Sequence, residues 1–343
     1  MAAPPARVWN RRRRLRTVAA VVAAALFGAV GLAACSTEPD PTPEELARVD
    51  YTPLASVEGW EVSIPEAQGL DADLVAEVYW RAARRESIYS LLVVKDGYLV
   101  GENYYHAGRP GQRALMQSAT KSVTGALVGI AIEEGCLPGV DGPMMTYFPE
   151  LADRLDDPRK NDITIEQLLQ HRAGYQWEES SDELLDLLYR GFLPDAMGLV
   201  EVPLVRDPGS GHDYSNLSSH LLSVVVSRAC DTDMLDFANE HLFDPLGIEP
   251  GSWTQDWDGY RWGAGELRLR ARDMARFGQL YLDDGNVDGE QVVPTSWIED
   301  SWTPYTESAW RYSGVGSNWG RRAYGYQWWI IDAGPHTLSL IHI

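Results

Sequence analysis

MQSATKSVTGALVGIAIEEG, residues 116–135, is the most informative stretch of this sequence. Its apolar residues predict a long buried helix, and Ser118 stands three residues before Lys121 at the head of that helix. Positions i and i+3 share one helix face, so the hydroxyl and the amine are expected within hydrogen-bond reach. A serine hydroxyl becomes a nucleophile when a neighbour takes its proton. A lysine can take that proton once burial lowers its pKa, whereas an arginine stays charged.

The chain has only three lysines, against many arginines, which makes the one at the helix start notable. The other two, Lys95 and Lys160, have Leu92 and Asp157 at the matching offset. A serine three residues before a lysine can also arise by chance, because serine is common. A helix that begins near Ser118 would direct free N–H groups toward an oxyanion formed there.

A second candidate lies in GHDYSNLSS, residues 211–219. Tyr214 and Asn216 are two residues apart on a loop before a predicted helix, so both side chains can point the same way. A phenol can relay a proton to a leaving group, and an amide can hold a substrate carbonyl. The alternative is an ordinary turn with Asn216 as the helix N-cap.

Taken together, the Ser-x-x-Lys and Tyr-x-Asn motifs resemble those of class C β-lactamases and penicillin-binding-protein-like serine hydrolases. The likeness extends over about residues 60 to 332. Four further stretches support it: ITIEQLLQHRAGY at 163–175, HLFDPLGI at 241–248, RARDMARFGQLYLDDG at 270–285 and YGYQWWI at 324–330.

This resemblance implies an α+β fold of the β-lactamase/transpeptidase type. It consists of an antiparallel sheet flanked by helices, with an all-helical insertion at about 136–260. It also implies acyl-enzyme chemistry on an ester or amide. Ser118 would attack the carbonyl, Lys121 and Tyr214 would shuttle protons, and Asn216 would orient the substrate. No cofactor is expected.

The motifs do not separate β-lactamases, D-Ala-D-Ala peptidases, esterases and amidases, although we favour an esterase or amidase. The alternative is a homologue that binds penicillin without turnover, as a cell-wall sensor.

The order of predicted elements is strands, then many helices, then strands. We expect a surface helix over 71–85, a hairpin that turns at Asp96-Gly97, a short helix over 164–171, a helix over 182–193 and a strand run over 323–332. This order predicts one sheet built from both ends of the chain.

The N-terminus reads as an export signal. A basic segment, NRRRRLR, precedes an apolar stretch that ends in Leu-Ala-Ala-Cys35, which resembles a lipobox. We expect residues 1–34 to be a cleaved lipoprotein signal peptide, with Cys35 lipidated and the protein anchored on the outer face of a bacterial cell membrane. The alternative is an uncleaved anchor. Residues 35–58 are Pro-rich and acidic and predict an extended tether before a hydrolase domain at 59–337.

Two further cysteines, Cys136 and Cys230, lie near the expected ends of helices. Export permits a disulfide between them, and two separate buried thiols are the alternative.

The C-terminal end departs from the family pattern. The family carries a Lys-Thr-Gly or His-x-Gly motif on the strand after YGYQWWI, and His336-Thr337 here lacks the glycine. Residues 338–343, LSLIHI, match the translation of CTGTCTCTTATACACATC, a transposon end used in preparing sequencing libraries. We interpret them as a sequencing artefact, so the final strands and one oxyanion donor are expected to be missing.

Several other functions lack support in the sequence. The net charge of −21 argues against nucleic acid as a partner. No Gly-x-Ser-x-Gly elbow occurs, and no His-Glu-x-x-His motif suggests a metal site.

Overall fold

The computed structural model describes residues 20–25, 39–54, 60–178, 181–182, 202–307, 319–333 and 336–340. The chain divides into two compact units, Met1–Arg109 and Pro110–Ile343.

Unit 1 is built on a four-stranded sheet whose strands follow the order β1-β3-β4-β2. The β1/β3 and β3/β4 pairs are antiparallel, and β2 runs parallel to β4. The strands are β1 (Ala20–Ala25), β2 (Glu61–Val62), β3 (Ile88–Lys95) and β4 (Tyr98–Tyr104).

The predicted hairpin and surface helix of unit 1 are both present. Asp96 and Gly97 have φ values of 52° and 83°, the left-handed pair that a type I′ turn requires. Helix α2 spans Ala72–Ala82 and begins after Asp71, whose side chain accepts hydrogen bonds from two backbone N–H groups of the first turn. Its inner face, including Tyr79, packs on the sheet to form the core of the unit.

Residues 39–54 belong to unit 1 and pack on its other residues, whereas the sequence predicts an extended tether over 35–58. Helix α1 (Pro43–Leu46) forms within this segment. The backbone N–H of Leu54 donates to Glu102 Oε2 at 3.0 Å, and Val49 and Tyr51 lie against the core. These two side chains bury apolar surface despite their Pro-rich surroundings, which composition alone does not indicate.

Strand β1 falls inside the predicted signal peptide and pairs with β3. The signal peptide and the lipidation of Cys35 remain predictions, since Cys35 lies outside the described residues. Among the residues that are described, no helix combines the length and apolar character needed to cross a bilayer.

The described residues of unit 2 contain α-helices along most of their length. They are α3 (Thr120–Glu133), α4 (Ile165–Leu169), α5 (Asn216–Ala229), α6 (Met234–Ala238), α7 (Ala271–Leu282) and α8 (Thr295–Ser301). Helices α3 and α5 pack against each other, and both are buried over most of their length. The predicted capping box opens α4, with Thr164 and Gln167 as its two members. The helix predicted over 182–193 falls almost entirely outside the described residues.

The strands in the described part of unit 2 form a second four-stranded antiparallel sheet and two small ladders. The sheet has the order β12-β11-β10-β9, β5 pairs with β6, and β7 pairs with β8. They are β5 (Ala114–Leu115), β6 (Arg268–Leu269), β7 (Asn286–Val287), β8 (Glu290–Gln291), β9 (Thr306–Glu307), β10 (Trp319–Tyr324), β11 (Trp329–Ala333) and β12 (His336–Leu340).

The α+β prediction is confirmed, but the single sheet predicted from both chain ends is not seen. Within the described ranges, each end of the chain forms its own sheet. In the first sheet β3 takes β1 as its outer partner, and in the second β11 takes β12, so these strand edges are already paired. Strand β12 also runs through residue 338, where the predicted artefact begins, and that interpretation remains a prediction.

A disulfide joins Cys136 to Cys230, with the two Cα atoms 5.1 Å apart. Cys136 follows α3 by a few residues, and Cys230 is the C-cap of α5. The pairing that the sequence left open is therefore present, and it links the C-terminal ends of the two central helices.

Candidate active site

Ser118 stands on a sharp turn between β5 and α3. Strand β5 is paired with β6, and Gln117 then adopts a φ of 46°, a left-handed conformation that a side-chain-bearing residue seldom takes. A 3₁₀ turn over Gln117–Ala119 leads directly into α3. The turn leaves Ser118 partly exposed at the start of the helix, while Lys121, one turn later, is 1% exposed.

The amine of Lys121 is surrounded by three oxygen atoms. Its Nζ lies 3.0 Å from Ser118 Oγ, 2.7 Å from Asn216 Oδ1 and 2.9 Å from the carbonyl oxygen of Ala264. The three oxygens come from the 3₁₀ turn before α3, from the start of α5 and from the loop before β6.

This set of neighbours suits either protonation state of the amine. An ammonium has three donors, one for each oxygen. A neutral amine has two N–H donors and one lone pair. The oxygens of Asn216 and Ala264 have no proton to give, so they would take the two N–H bonds. The lone pair would then be left to accept the proton of the Ser118 hydroxyl.

Asn216 is the first residue of α5, and Ser215 is its N-cap. The capping role that the sequence alternative assigned to Asn216 therefore belongs to its neighbour, which leaves the amide of Asn216 facing Lys121. Tyr214 precedes the cap, and the centroid of its ring lies 5.0 Å from Lys121 Nζ. Both residues of the Tyr-x-Asn motif thus face the same amine.

The ring of Tyr214 is held by other aromatic side chains. It stacks on Trp329 of β11 with centroids 5.7 Å apart. His171 lies 4.7 Å away in a tilted arrangement, and Tyr324 meets the ring edge-on. These contacts connect the phenol to the second sheet and to the loop after α4.

Glu178 is a fully buried carboxylate beneath the Tyr-x-Asn segment. It accepts hydrogen bonds from the hydroxyl of Ser215 at 2.7 Å and from the backbone N–H groups of Asn216 at 2.9 Å and Leu217 at 3.1 Å. Burial raises the pKa of Glu178, and these hydrogen bonds act in the opposite direction. The carboxylate also lies at the positive end of α5.

His171 is also fully buried beside this segment. Its Nδ1 accepts from the backbone N–H of Ser215 at 3.2 Å, which places the ring proton on Nε2. Burial holds the pKa of His171 well below its usual value, with His212 and Lys121 adding to the effect. The imidazole is therefore neutral.

Comparison with known proteins places this geometry in a family. The Beta-lactamase family profile matches residues 76–338, more than half of the chain. The chain belongs to the Beta-lactamase family.

Two curated relatives of this family member are hydrolases. It is 27% identical over 264 residues to a 6-aminohexanoate-dimer hydrolase of Paenarthrobacter ureafaciens, which covers 74% of this chain and 67% of the relative. It is 31% identical over 156 residues to Esterase EstB of Burkholderia gladioli, which covers 41% of this chain and 39% of the relative. The chain thus spans between about two fifths and two thirds of the length of these two relatives.

A solved structure of a putative 6-aminohexanoate-dimer hydrolase from Bacillus anthracis superposes with a TM-score of 0.57 at 23% identity. The match covers 73% of this chain and 69% of that one. This likeness supports the fold of the Beta-lactamase family member.

All four residues singled out from the sequence, Ser118, Lys121, Tyr214 and Asn216, meet at one point of the structure. Sequence reasoning missed Glu178, His171 and the carbonyl of Ala264. His171 lies within the quoted ITIEQLLQHRAGY stretch and Glu178 lies three residues after it, but nothing in their spacing indicates a contact with residues 213–217. Among the described residues, no group of three or more His, Cys, Asp or Glu side chains could hold a metal ion.

Proposed function

We propose that this protein is a serine hydrolase that cleaves an ester or amide through an acyl-enzyme on Ser118. The observation that carries the proposal is the position of Lys121. This residue is 1% exposed, and its Nζ lies 3.0 Å from the Oγ of the partly exposed Ser118. Lys121 is also held by Asn216 and Ala264, so it has little freedom to swing into solvent.

In the proposed reaction, Ser118 Oγ bonds to the substrate carbonyl carbon while its proton moves to the lone pair of Lys121. The negative charge gathers on the carbonyl oxygen near the start of α3, where backbone N–H groups and the helix dipole favour an anion. As the carbonyl reforms, the bond to the leaving oxygen or nitrogen breaks, and that atom takes the proton from Lys121 by way of Tyr214. Asn216 orients the substrate.

Water completes the cycle. It attacks the acyl carbon and gives one proton to the amine. The acid product then leaves as Ser118 recovers its proton. A homologue that performs the first half but not the second would stay acylated and serve as a penicillin-binding sensor, which is the second candidate.

For the substrate we propose a linear or cyclic ester or amide, in preference to a dedicated β-lactam role. Support comes from the relatives, whose names describe an amide-type dimer hydrolase and an esterase. The first of these matches covers 74% of the chain.

Labelling with a fluorescent fluorophosphonate tests the nucleophile. We expect the wild-type protein to be labelled and the Ser118→Ala variant to remain unlabelled. Ser210→Ala, which changes an exposed loop serine, is the matched control and should be labelled like wild type. If Ser118→Ala is labelled as strongly as the control, the assignment of the nucleophile is wrong.

Turnover separates the two candidates. With p-nitrophenyl esters, the 6-aminohexanoate dimer and a fluorescent penicillin as substrates, a hydrolase releases product repeatedly and loses the acyl adduct over time by intact mass. A sensor forms the penicillin adduct once and keeps it.

We also propose export and anchoring at Cys35. The disulfide supports an oxidising compartment. The test is fractionation of expressing cells: wild type is expected with membranes, and Cys35→Ala in the soluble exported fraction. Equal distribution of both would refute the anchor.

A further inference from the structure

The backbone that carries Tyr214 and Asn216 is hydrogen-bonded to two buried residues, His171 and Glu178. Over residues 213–217, four of the five backbone N–H groups donate to atoms of only two residues. Asp213 N donates to the carbonyl of His171 at 2.9 Å and Ser215 N to its Nδ1 at 3.2 Å, while Asn216 N and Leu217 N donate to Glu178.

His171 therefore brackets Tyr214. Its carbonyl holds the residue before the tyrosine, its ring nitrogen holds the residue after it, and its ring lies 4.7 Å from the phenol ring. His171 has a φ of 52°, a left-handed conformation, and the turn it makes brings its carbonyl and its ring to the same segment.

Glu178 fixes the other half of the segment. Its carboxylate receives three donors within 3.1 Å, and the hydroxyl of Ser215 in turn accepts from Ser218 N at 3.1 Å. The first turn of α5 and the side chain of Asn216 are thereby held in one orientation relative to Lys121.

We propose that Glu178 and His171 are positioning residues that hold Tyr214 and Asn216 against the Ser118–Lys121 pair without touching substrate themselves. This inference rests on the proposed function for its catalytic consequence. The positioning of the two residues is inferred from the hydrogen bonds alone.

The donors around Glu178 require a carboxylate at this position. Two of the three partners of Glu178 are backbone N–H groups, one at each carboxylate oxygen, so an acceptor atom is needed at both positions. Glu178→Gln keeps the shape but turns an N–H₂ group toward at least one donor, which leaves buried groups unpaired. A side chain that merely filled space would tolerate this change.

Amide hydrogen exchange tests the positioning without reference to activity. We expect Glu178→Gln to speed exchange at Asn216 and Leu217 by at least about tenfold, with little change in the middle of α3 or α7. We expect His171→Ala to speed exchange mainly at Ser215, whose N–H donates to the imidazole ring, and less at Asp213, whose acceptor is the backbone carbonyl that the variant keeps. The matched control is Glu166→Gln, whose carboxylate accepts from Tyr326 Oη and does not bond this segment.

The proposal stays testable if one variant folds poorly, because faster exchange is expected at a different set of amides in each variant. Unchanged exchange at residues 213–217 in a folded Glu178→Gln or His171→Ala protein would overturn the positioning role. So would a uniform increase across unit 2 in both variants, which indicates general destabilisation.

Kinetics then test the catalytic consequence on an ester substrate. We expect Glu178→Gln to lower kcat by about 10²-fold with a change in KM below about threefold, since the variant misplaces groups that act in the transition state. In a double-mutant cycle with Asn216→Ala, the second change should add less than about threefold, because both act through one amide. Fully multiplicative losses would overturn the action through Asn216.

If wild-type Ser118 is never labelled, the proposed function fails, while the exchange experiment still decides whether Glu178 and His171 position the segment.

Discussion

The disulfide between Cys136 and Cys230 makes a quantitative prediction about stability. The two cysteines are 94 residues apart in the sequence. The chain-entropy relation gives about 2.1 + 1.5R ln 94, or about 15.6 cal mol⁻¹ K⁻¹, which is about 4.7 kcal/mol near room temperature. Measured losses are commonly smaller, so we expect the Cys136→Ser/Cys230→Ser double variant to lose about 2–5 kcal/mol of unfolding free energy.

Urea unfolding followed by tryptophan fluorescence is a suitable assay, because the chain has 13 tryptophans. With a slope of about 3 kcal/mol per molar urea, a loss of about 4 kcal/mol lowers the midpoint by about 1.3 M. Both cysteines are partly exposed, so a reductant can reach the bond. Reduced wild type should match the double variant, and the variant should not respond to reductant.

The reasoning fails if the double variant unfolds at the same urea concentration as oxidised wild type. It also fails if the midpoint of the variant still shifts with reductant, since the effect would then arise elsewhere. Because the bond joins the far ends of α3 and α5, the Ser118–Lys121 distance should change little, and labelling of folded molecules without urea should persist.

Three further predictions concern other parts of unit 2. Lys121→Arg should lower the rate of ester cleavage by about 10³-fold or more, because a guanidinium stays protonated and cannot accept the serine proton; stopped-flow hydrolysis measures this. Gly129→Ala should cost about 1–3 kcal/mol in urea unfolding, since a Cβ there would lie 2.4 Å from the ring of Trp297. Burial lowers the pKa of His212 to about 4, so between pH 6.5 and about 4 the unfolded chain binds a proton that the folded chain does not. Stability should therefore fall as the pH falls through this window, by up to about 1.4 kcal/mol per pH unit for this group, and His212→Gln should flatten the slope.

Each of these has a contrary outcome. An active Lys121→Arg enzyme would exclude the amine as the base. Gly278→Ala is the control for Gly129, because it also lies within a helix but its Cβ would meet no atom within 4 Å, and it should be neutral or slightly stabilising. Equal losses at both glycines would contradict the packing argument. An unchanged slope in His212→Gln would show that other groups dominate acid sensitivity.

The sequence predicted those pairs of site residues that lie only a few positions apart along the chain. Ser118 and Lys121 lie on one helix turn, and Tyr214 and Asn216 are two residues apart, so local geometry sufficed for each pair. Family resemblance then predicted that the two pairs share one site, although 93 positions separate Lys121 from Tyr214. The hairpin at Asp96-Gly97 was predictable for the same local reason.

The remaining features depend on long-range packing. Glu178 reads as an ordinary acidic residue, and only the fold brings it under the start of α5. The contact of Ala264 with Lys121 is made by a backbone carbonyl, for which side-chain chemistry gives no signal. The pairing of β1 with β3 was also not predictable, because strand pairing between distant segments depends on which edge is free.

The carbonyl of Ala264 has a consequence for redesign of the site. Every amino acid supplies a peptide oxygen, so a change of residue type at this position keeps the bond to Lys121 as long as the loop path is kept. The neighbouring Gly263 constrains that path, since a Cβ there would lie 2.4 Å from the carbonyl oxygen of Ser219. A mutagenesis library aimed at new substrates can therefore vary position 264 among small residues while holding 263 as glycine.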